Sequence, residues 1–167
     1  NIIYRQHAVR RIFEREISAD DVLSVLRDGE IIESYPSDTP YPSRLMLGFR
    51  GQRPLHVVIA DNLAEDTQIV ITFYEPDPAL WKNDFTNGKA HHELPICKHG
   101  TLRPGFSSAT LERGGAVLVF KDVPADICDN CGEVFHREEI TRALLSQAET
   151  ALKQGVELDI RRFAQAA

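Results

Sequence analysis

Several things are scarce in this sequence, and each scarcity excludes something. No apolar stretch approaches the roughly 20 residues of a membrane helix, so no helical span is expected. The opening residues carry no secretory signal pattern. Cysteine occurs three times, as Cys97, Cys128 and Cys131, all in the second half. An odd, clustered count does not make a secreted disulfide framework, and the cytoplasm is the expected compartment. The one methionine is Met46, so an initiating residue is expected ahead of Asn1. Positive charge is outnumbered: 19 Lys and Arg stand against 25 Asp and Glu, a net charge of −6. That argues against broad binding to duplex nucleic acid, which needs many phosphate-facing cations.

What is present describes a globular chain. The 167 residues are 43% hydrophobic and 26% charged, which suits one domain or two small ones and not a disordered chain. Charge is uneven: Arg5, Arg10, Arg11 and Arg15 cluster near the start with only Glu14 among them. A local basic patch on an acidic protein fits one phosphate or a short RNA.

The first half reads as two helices followed by strands. Val9, Ile12 and Phe13 recur at helical spacing over 7–15. Ser18 then looks like an N-cap with Asp20 and Asp21 in the first turn, and Asp28-Gly29 closes that helix. Strands are expected over 30–35, 44–49, 55–60 and 68–74, with Gly51-Gln52 as a hairpin turn. Trp81 and Phe85 are expected to pack a terminal segment on the sheet. Polar residues over 83–93 read as a linker, placing domains at 1–88 and 94–167 with 89–93 between them.

In the second half, strands are expected over 107–112 and 116–121 around Arg113-Gly114-Gly115, with a short extended segment at 125–127. A helix is expected over 138–153, with Ile140, Leu144, Leu145, Ala148 and Leu152 on one face. Alternation over 156–163 reads as a strand with Val156, Leu158 and Ile160 inward. The fold class is therefore α+β.

Two constellations carry chemistry. His7, Arg11 and Arg15 stand at i, i+4 and i+8, which aligns them along one side of a helix. Two guanidiniums can hold a phosphodiester and offset transition-state charge, while an imidazole moves a proton near neutral pH. The plain alternative is the solvated face of an amphipathic helix. His56, in an apolar strand, reads either as a core residue or as a proton-transfer group; Tyr74 could meet a phosphate or merely end the sheet. Arg44 and Arg50 could add cations to one sheet face. The second constellation is Cys128-x-x-Cys131-Gly132, half of a zinc site.

The strings HAVRRIFEREISADDVLSVLRDGEIIESYP, YPSRLMLGFRGQRPLHVVIA and VITFYEPDPALW resemble a family of small bacterial proteins of unknown function over residues 2–86. They are similar to BrnT and, more distantly, to RelE-type toxins. That resemblance implies a RelE-like fold of two helices on an antiparallel sheet. It also implies an endoribonuclease in which an RNA 2′-hydroxyl attacks the adjacent phosphate. His7 or His56 would transfer the proton, with Arg11, Arg15, Arg44 and Tyr74 about the phosphate. Residues 93–163, through PICKHG, ATLERGGAVLVFKDVPADICDNCGE and GVELDIRRF, resemble the zinc-finger domain of YgiT- and MqsA-type antitoxins. The resemblance implies a structural zinc held by Cys97, Cys128 and Cys131. Leu94 stands where a fourth cysteine is expected, so His92 or, less easily, His91 would have to substitute. Longer antitoxins of this kind carry a helix-turn-helix after the finger; none follows here, and no independent DNA binding is expected.

Together these imply a type II toxin–antitoxin pair in one chain, with RNA as the substrate of the toxin half. The antitoxin half would be tethered against it at high effective concentration. Exchange of halves between copies would give a homodimer, and no membrane partner is expected. The competing reading is a non-catalytic interaction module with a structural zinc finger, or a transcription co-regulator.

Overall fold

The structure, a computed structural model, describes residues 1–82, 84–87 and 101–164. Cys97, the three histidines at 91, 92 and 99, and the expected linker lie outside the described residues. The described chain is mixed α+β, with nine strands and three helices. In chain order these are β1 (Ile2–Arg5), α1 (Gln6–Glu14), α2 (Ala19–Asp28), β2 (Glu30–Tyr35), β3 (Ser43–Arg50), β4 (Arg53–Asn62) and β5 (Thr67–Tyr74). The second half supplies β6 (Leu102–Arg113), β7 (Ala116–Cys128), β8 (Val134–Arg137), α3 (Glu138–Lys153) and β9 (Leu158–Arg162). Among the described residues no helix is long and apolar enough to cross a membrane.

All nine strands belong to one sheet, ordered β2-β3-β4-β5-β1-β8-β7-β6, with β9 beside β7. Most neighbours are antiparallel; β1–β5 and β7–β9 are parallel. The join between the halves is the antiparallel pair β1–β8, where Tyr4 lies opposite His136. One core follows the sheet across that join. Val9 and Ile12 of α1, Val22 of α2 and Leu144 of α3 pack with Val57, Ile59, Val70 and Phe120 of the sheet. The opposite face has its own core, in which Ile3, Val58, Ala60, Ile71 and Phe135 lie with Trp81. Trp81 and Phe85 do pack on the sheet there, as expected.

Local chemistry explains the elements. Ser18 caps α2: its hydroxyl accepts from the Asp21 N–H (3.0 Å) while the Asp21 carboxylate accepts from the Ser18 N–H (2.8 Å). Such reciprocal capping contributes about 1 kcal/mol. Gly29 ends α2 without the left-handed backbone often found there. Its lack of a side chain serves close approach instead, since a Cβ would stand 2.4 Å from the Val25 carbonyl oxygen and 2.8 Å from that of Leu47. Gly114 and Gly115 both have positive φ (59° and 85°), the requirement of a two-residue hairpin turn between β6 and β7.

Three expectations need correction. The chain opens with a strand, not a helix, and β8 is a further unanticipated strand. Each has four residues, too few for alternation to register, and each leads straight into a helix signal. Next, the segments at 116–121 and 125–127 are one strand, β7, despite Pro124. Along one edge β9 pairs through Lys121 and β8 begins at Asp126, so Pro124 falls in the gap where no ladder bond is required. Finally, β9 has the opposite facing from the one expected: Leu158 and Ile160 are 73% and 65% exposed, while Asp159 and Arg161 are half-buried. Alternation fixes which residues share a face and leaves open which face meets the core.

His136 sits fully buried in the join. Its Nδ1–H donates to the Pro124 carbonyl (3.0 Å), and Nε2 has no partner among the described residues. Burial lowers its pKa, only partly opposed by the Pro124 carbonyl and Asp126. The unfolded chain, with an ordinary imidazole near about 6.5, therefore binds more protons as acid is added. The stability contributed by neutral His136 is present in full above that value and is lost as pH falls towards the folded pKa. Urea unfolding of the full chain is expected to show one transition whose midpoint falls as pH drops from 7.5 to 5, and His136→Phe should flatten that fall. Two separate transitions, or an unchanged slope in the variant, would contradict the shared core or the role of His136.

Candidate functional site

The basic row is real as geometry. On α1, Ala8, Val9, Ile12 and Phe13 are buried; His7 is exposed, and Arg11 and Arg15 are half-buried beside it. Arg11 is tied to Glu14 at 3.1 Å. Arg15 has no ion-pair partner among the described residues and stands at the C-terminal end of the helix, where a cation also suits the helix dipole. Desolvation first, then the positive charges of Arg11 and Arg5, lower the His7 pKa; Glu133 opposes this and Arg10 adds to it. The imidazole is thus held neutral at pH 7, able to accept a proton, in a patch that repels a proton from the imidazole and attracts an anion.

Arg5, legible in the sequence as part of the basic cluster but not among the expected catalytic residues, joins the site, and Glu133 was not anticipated. Arg5 ends β1, where its guanidinium reaches the His7 neighbourhood, and Glu133 of the second half grips it through two bonds of 3.1 and 2.7 Å. The pair is largely sheltered, with Arg5 12% and Glu133 29% exposed. The position of Arg5, two residues before His7, was the available signal; Glu133 had none, because it lies 128 residues away.

His56 and Tyr74 are elsewhere. They are cross-strand neighbours on β4 and β5, on the sheet face opposite the helices, with Val58 and Ala60. His56 is fully buried. Its Nε2 meets the Phe85 carbonyl at 2.9 Å, which can only accept, so Nε2 carries the proton and Nδ1 accepts from the Tyr74 hydroxyl at 3.2 Å. Trp81 closes over it edge-on with ring centroids 4.3 Å apart. Burial, and then the Glu33 charge, raise the Tyr74 pKa, so it stays a phenol. With both ring nitrogens engaged, His56 anchors the 81–87 segment to the sheet. Arg44 is on the helix-bearing face but bonds Asp61, which also accepts from Gln68 at 3.4 Å. The structure therefore places Arg5, Arg10 and Arg11 where their charges act on His7, sets Arg15 a further turn along at the end of α1, and puts His56 and Tyr74 on the opposite sheet face, with Arg44 tied to Asp61.

Cys128 ends β7 and is buried; Cys131 is exposed in the following turn. That turn is closed by the Gly132 N–H on the Cys128 carbonyl (2.9 Å) and the Cys128 N–H on the Glu133 carbonyl (2.9 Å). Gly132 has a φ of 74°, which favours glycine at this position. Among the described residues no three His, Cys, Asp or Glu side chains gather so as to hold a metal; Cys97 is outside them.

Residues 4–75 match the model of a family described as a domain of unknown function, DUF4258. No curated protein and no solved structure matches the chain. The matched segment holds the second half of β1, both α1 and α2, and the sheet through β5, so it contains the His7 row and the His56–Tyr74 pair.

The electrostatics of the row are open to measurement. In a nuclear magnetic resonance titration of the full chain, His7 is expected to titrate below the usual imidazole value and to move upward in Arg11→Ala, since of the neighbouring charges that cation depresses it most. A titration unaltered by the substitution would show that Arg11 does not act on His7.

Proposed function

We propose that the chain is a self-restrained endoribonuclease: a RelE-like toxin in its first half, held inactive by an antitoxin-like second half. One observation carries the reading. The exposed, neutral His7 stands among Arg5, Arg10 and Arg11 where the second half, through Glu133, takes hold of one of those cations.

In the proposed reaction His7 accepts the proton of an RNA 2′-hydroxyl. The 2′-oxygen bonds to phosphorus while the bond from phosphorus to the 5′-oxygen breaks. A 2′,3′-cyclic phosphate forms, and the departing 5′-oxygen takes a proton from water. Arg11 and Arg15, joined by Arg5 once Glu133 releases it, offset the charge that develops on the phosphoryl oxygens. A cation already paired to a carboxylate has less to give a phosphate, so the Arg5–Glu133 bond supports restraint. The same contact explains how an inhibitor could act without covering His7. The exposed apolar pair Leu158 and Ile160 favours a second reading, in which the chain serves as a protein-interaction module.

Full-length variants separate these readings without relying on an isolated half. Glu133→Ala combined with Arg142→Ala removes two contacts across the join, Arg5–Glu133 and Arg142–Asp20. Induced in bacteria, that variant is expected to arrest growth and leave RNA fragments ending in cyclic phosphate. The unaltered chain should do neither, and adding His7→Ala should abolish both effects. Intact RNA from a folded double variant would remove the ribonuclease reading and leave the interaction module.

The Cys128–Cys131 turn fits half of a structural zinc site, since two thiolates on a closed four-residue turn can meet one tetrahedral ion; Cys97 would be the third ligand. Bound there, zinc would brace the turn from which Glu133 reaches Arg5. Metal analysis of the purified chain is expected to find zinc near one equivalent, and Cys131→Ser to lose it with a lower unfolding midpoint. Absence of zinc from protein purified without chelator would remove the proposed metal.

A further inference from the structure

A cleft of about 970 Å³ opens where the two halves meet, at the far end of α1 from His7. Its walls are the α1–α2 turn, the β3–β4 hairpin, the tip of the β6–β7 hairpin and α3. Five cations line it: Arg50 and Arg53 from the first half, and Arg113, Arg142 and Lys153 from the second. Three carboxylates, Glu16, Asp20 and Glu149, share the wall, and Asp21, Glu75 and Glu138 pair with its arginines from beside it, so each arginine arrives already oriented by a carboxylate that a phosphate would have to displace or share.

The cations are arranged rather than scattered. Arg50 and Arg53 are directly opposite across the hairpin, a like-charge placement that Asp21 and Glu75 offset from its two sides. Each guanidinium is anchored on part of its fork. Arg50 donates to the Glu16 carbonyl (2.6 Å) and lies 3.5 Å from Asp21, while Arg53 bonds Glu75. Arg113 lies over the Phe13 ring at 4.3 Å and bonds Glu149 at 2.6 Å. Arg142 bonds Asp20 at 2.7 Å and Glu138 at 2.9 Å. A guanidinium carries five N–H donors, so these bonds fix its direction and leave donors over. Lys153 has no ion-pair partner among the described residues. Fixed planar forks suit phosphate oxygens, and forks on opposite walls of a wide cleft suit more than one phosphate.

We propose that this cleft binds a small ligand carrying two or more phosphate groups, and that the ligand, gripped from both sides, holds the second half on the first. The second part follows by linkage. The cleft exists only while the halves are joined, so whatever binds in it favours the joined state. The proposal does not depend on the ribonuclease reading, because its wall residues lie outside the His7 row.

The test is thermal unfolding of the full chain titrated with inorganic triphosphate, with sodium sulfate at matched ionic strength as the control and adenosine triphosphate as a second arm. Triphosphate is expected to raise the midpoint saturably, by roughly 5–10 °C at a hundredfold excess over its Kd. Sulfate should raise it much less. Arg53→Ala with Lys153→Ala should weaken binding at least about tenfold, as loss of two charge-assisted contacts implies. Lys153→Glu alone, a surface change on α3, should weaken it in the same direction. Equal affinity for the two phosphate compounds would mark the phosphates alone as the recognised group, and tighter binding of the nucleotide would mark a nucleotide; both support the site. A rise matched by sulfate, or affinity unchanged in a folded double variant, would overturn it.

Discussion

The pairing of β8 with β1 is the constraint on which the rest of this molecule depends. A four-residue strand at the start of the chain would otherwise present its edge to solvent, with unpaired N–H and C=O groups. By occupying that edge, the second half converts two partial sheets into one and carries the core across the join. The β6–β7 hairpin then reaches α1: the Gln6 side chain donates to the Ser108 carbonyl at 3.0 Å, and Arg113 covers Phe13 at 4.3 Å. Contacts between the halves are therefore of two kinds, an apolar interior that is hard to open and a polar rim that is not.

Electrostatics at the rim link this architecture to the candidate chemistry. The first half alone gathers Arg5, Arg10 and Arg11 about one imidazole, with Glu14 paired to Arg11 as the near counter-charge, a field that favours an anion. The second half supplies Glu133 to the most sheltered of those cations. It leaves His7 exposed and neutral, so the proposed proton acceptor is preserved while part of the proposed anion site is engaged.

Much of this was legible in the sequence, and the illegible parts share a cause. Strands β2 to β5, the capped helix α2 and helix α3 announced themselves through periodicity, turn residues and caps over six or more residues. The strands that join the halves, β1 and β8, have four residues each and cannot display a period. The His7, Arg11 and Arg15 row was visible because helical spacing alone aligns it. His56 and Tyr74 were equally visible as residues, yet their separation from the row was not. Alternation shows that His56 shares a face with Val58 and Ala60, but only tertiary structure tells which face the helices cover. Arg5 and Glu133, far apart in sequence, meet only because β1 and β8 pair.

The shared core also limits how the proposed restraint could be relieved. A tethered inhibitor that merely docked could swing away at the cost of a modest interface. Here, Val9, Ile12, Phe13 and Val22 of the first half share one apolar cluster with Leu111, Leu118, Phe120 and Leu144 of the second, so parting the halves would open that cluster. Wholesale release would thus expose apolar core on both sides of the join. The Arg5–Glu133 and Arg142–Asp20 contacts lie at the rim, where exchange of one carboxylate for a phosphate involves no loss of core. Regulation of this protein, if it acts on the folded state, has to act through such rim contacts, with the sheet and its core intact.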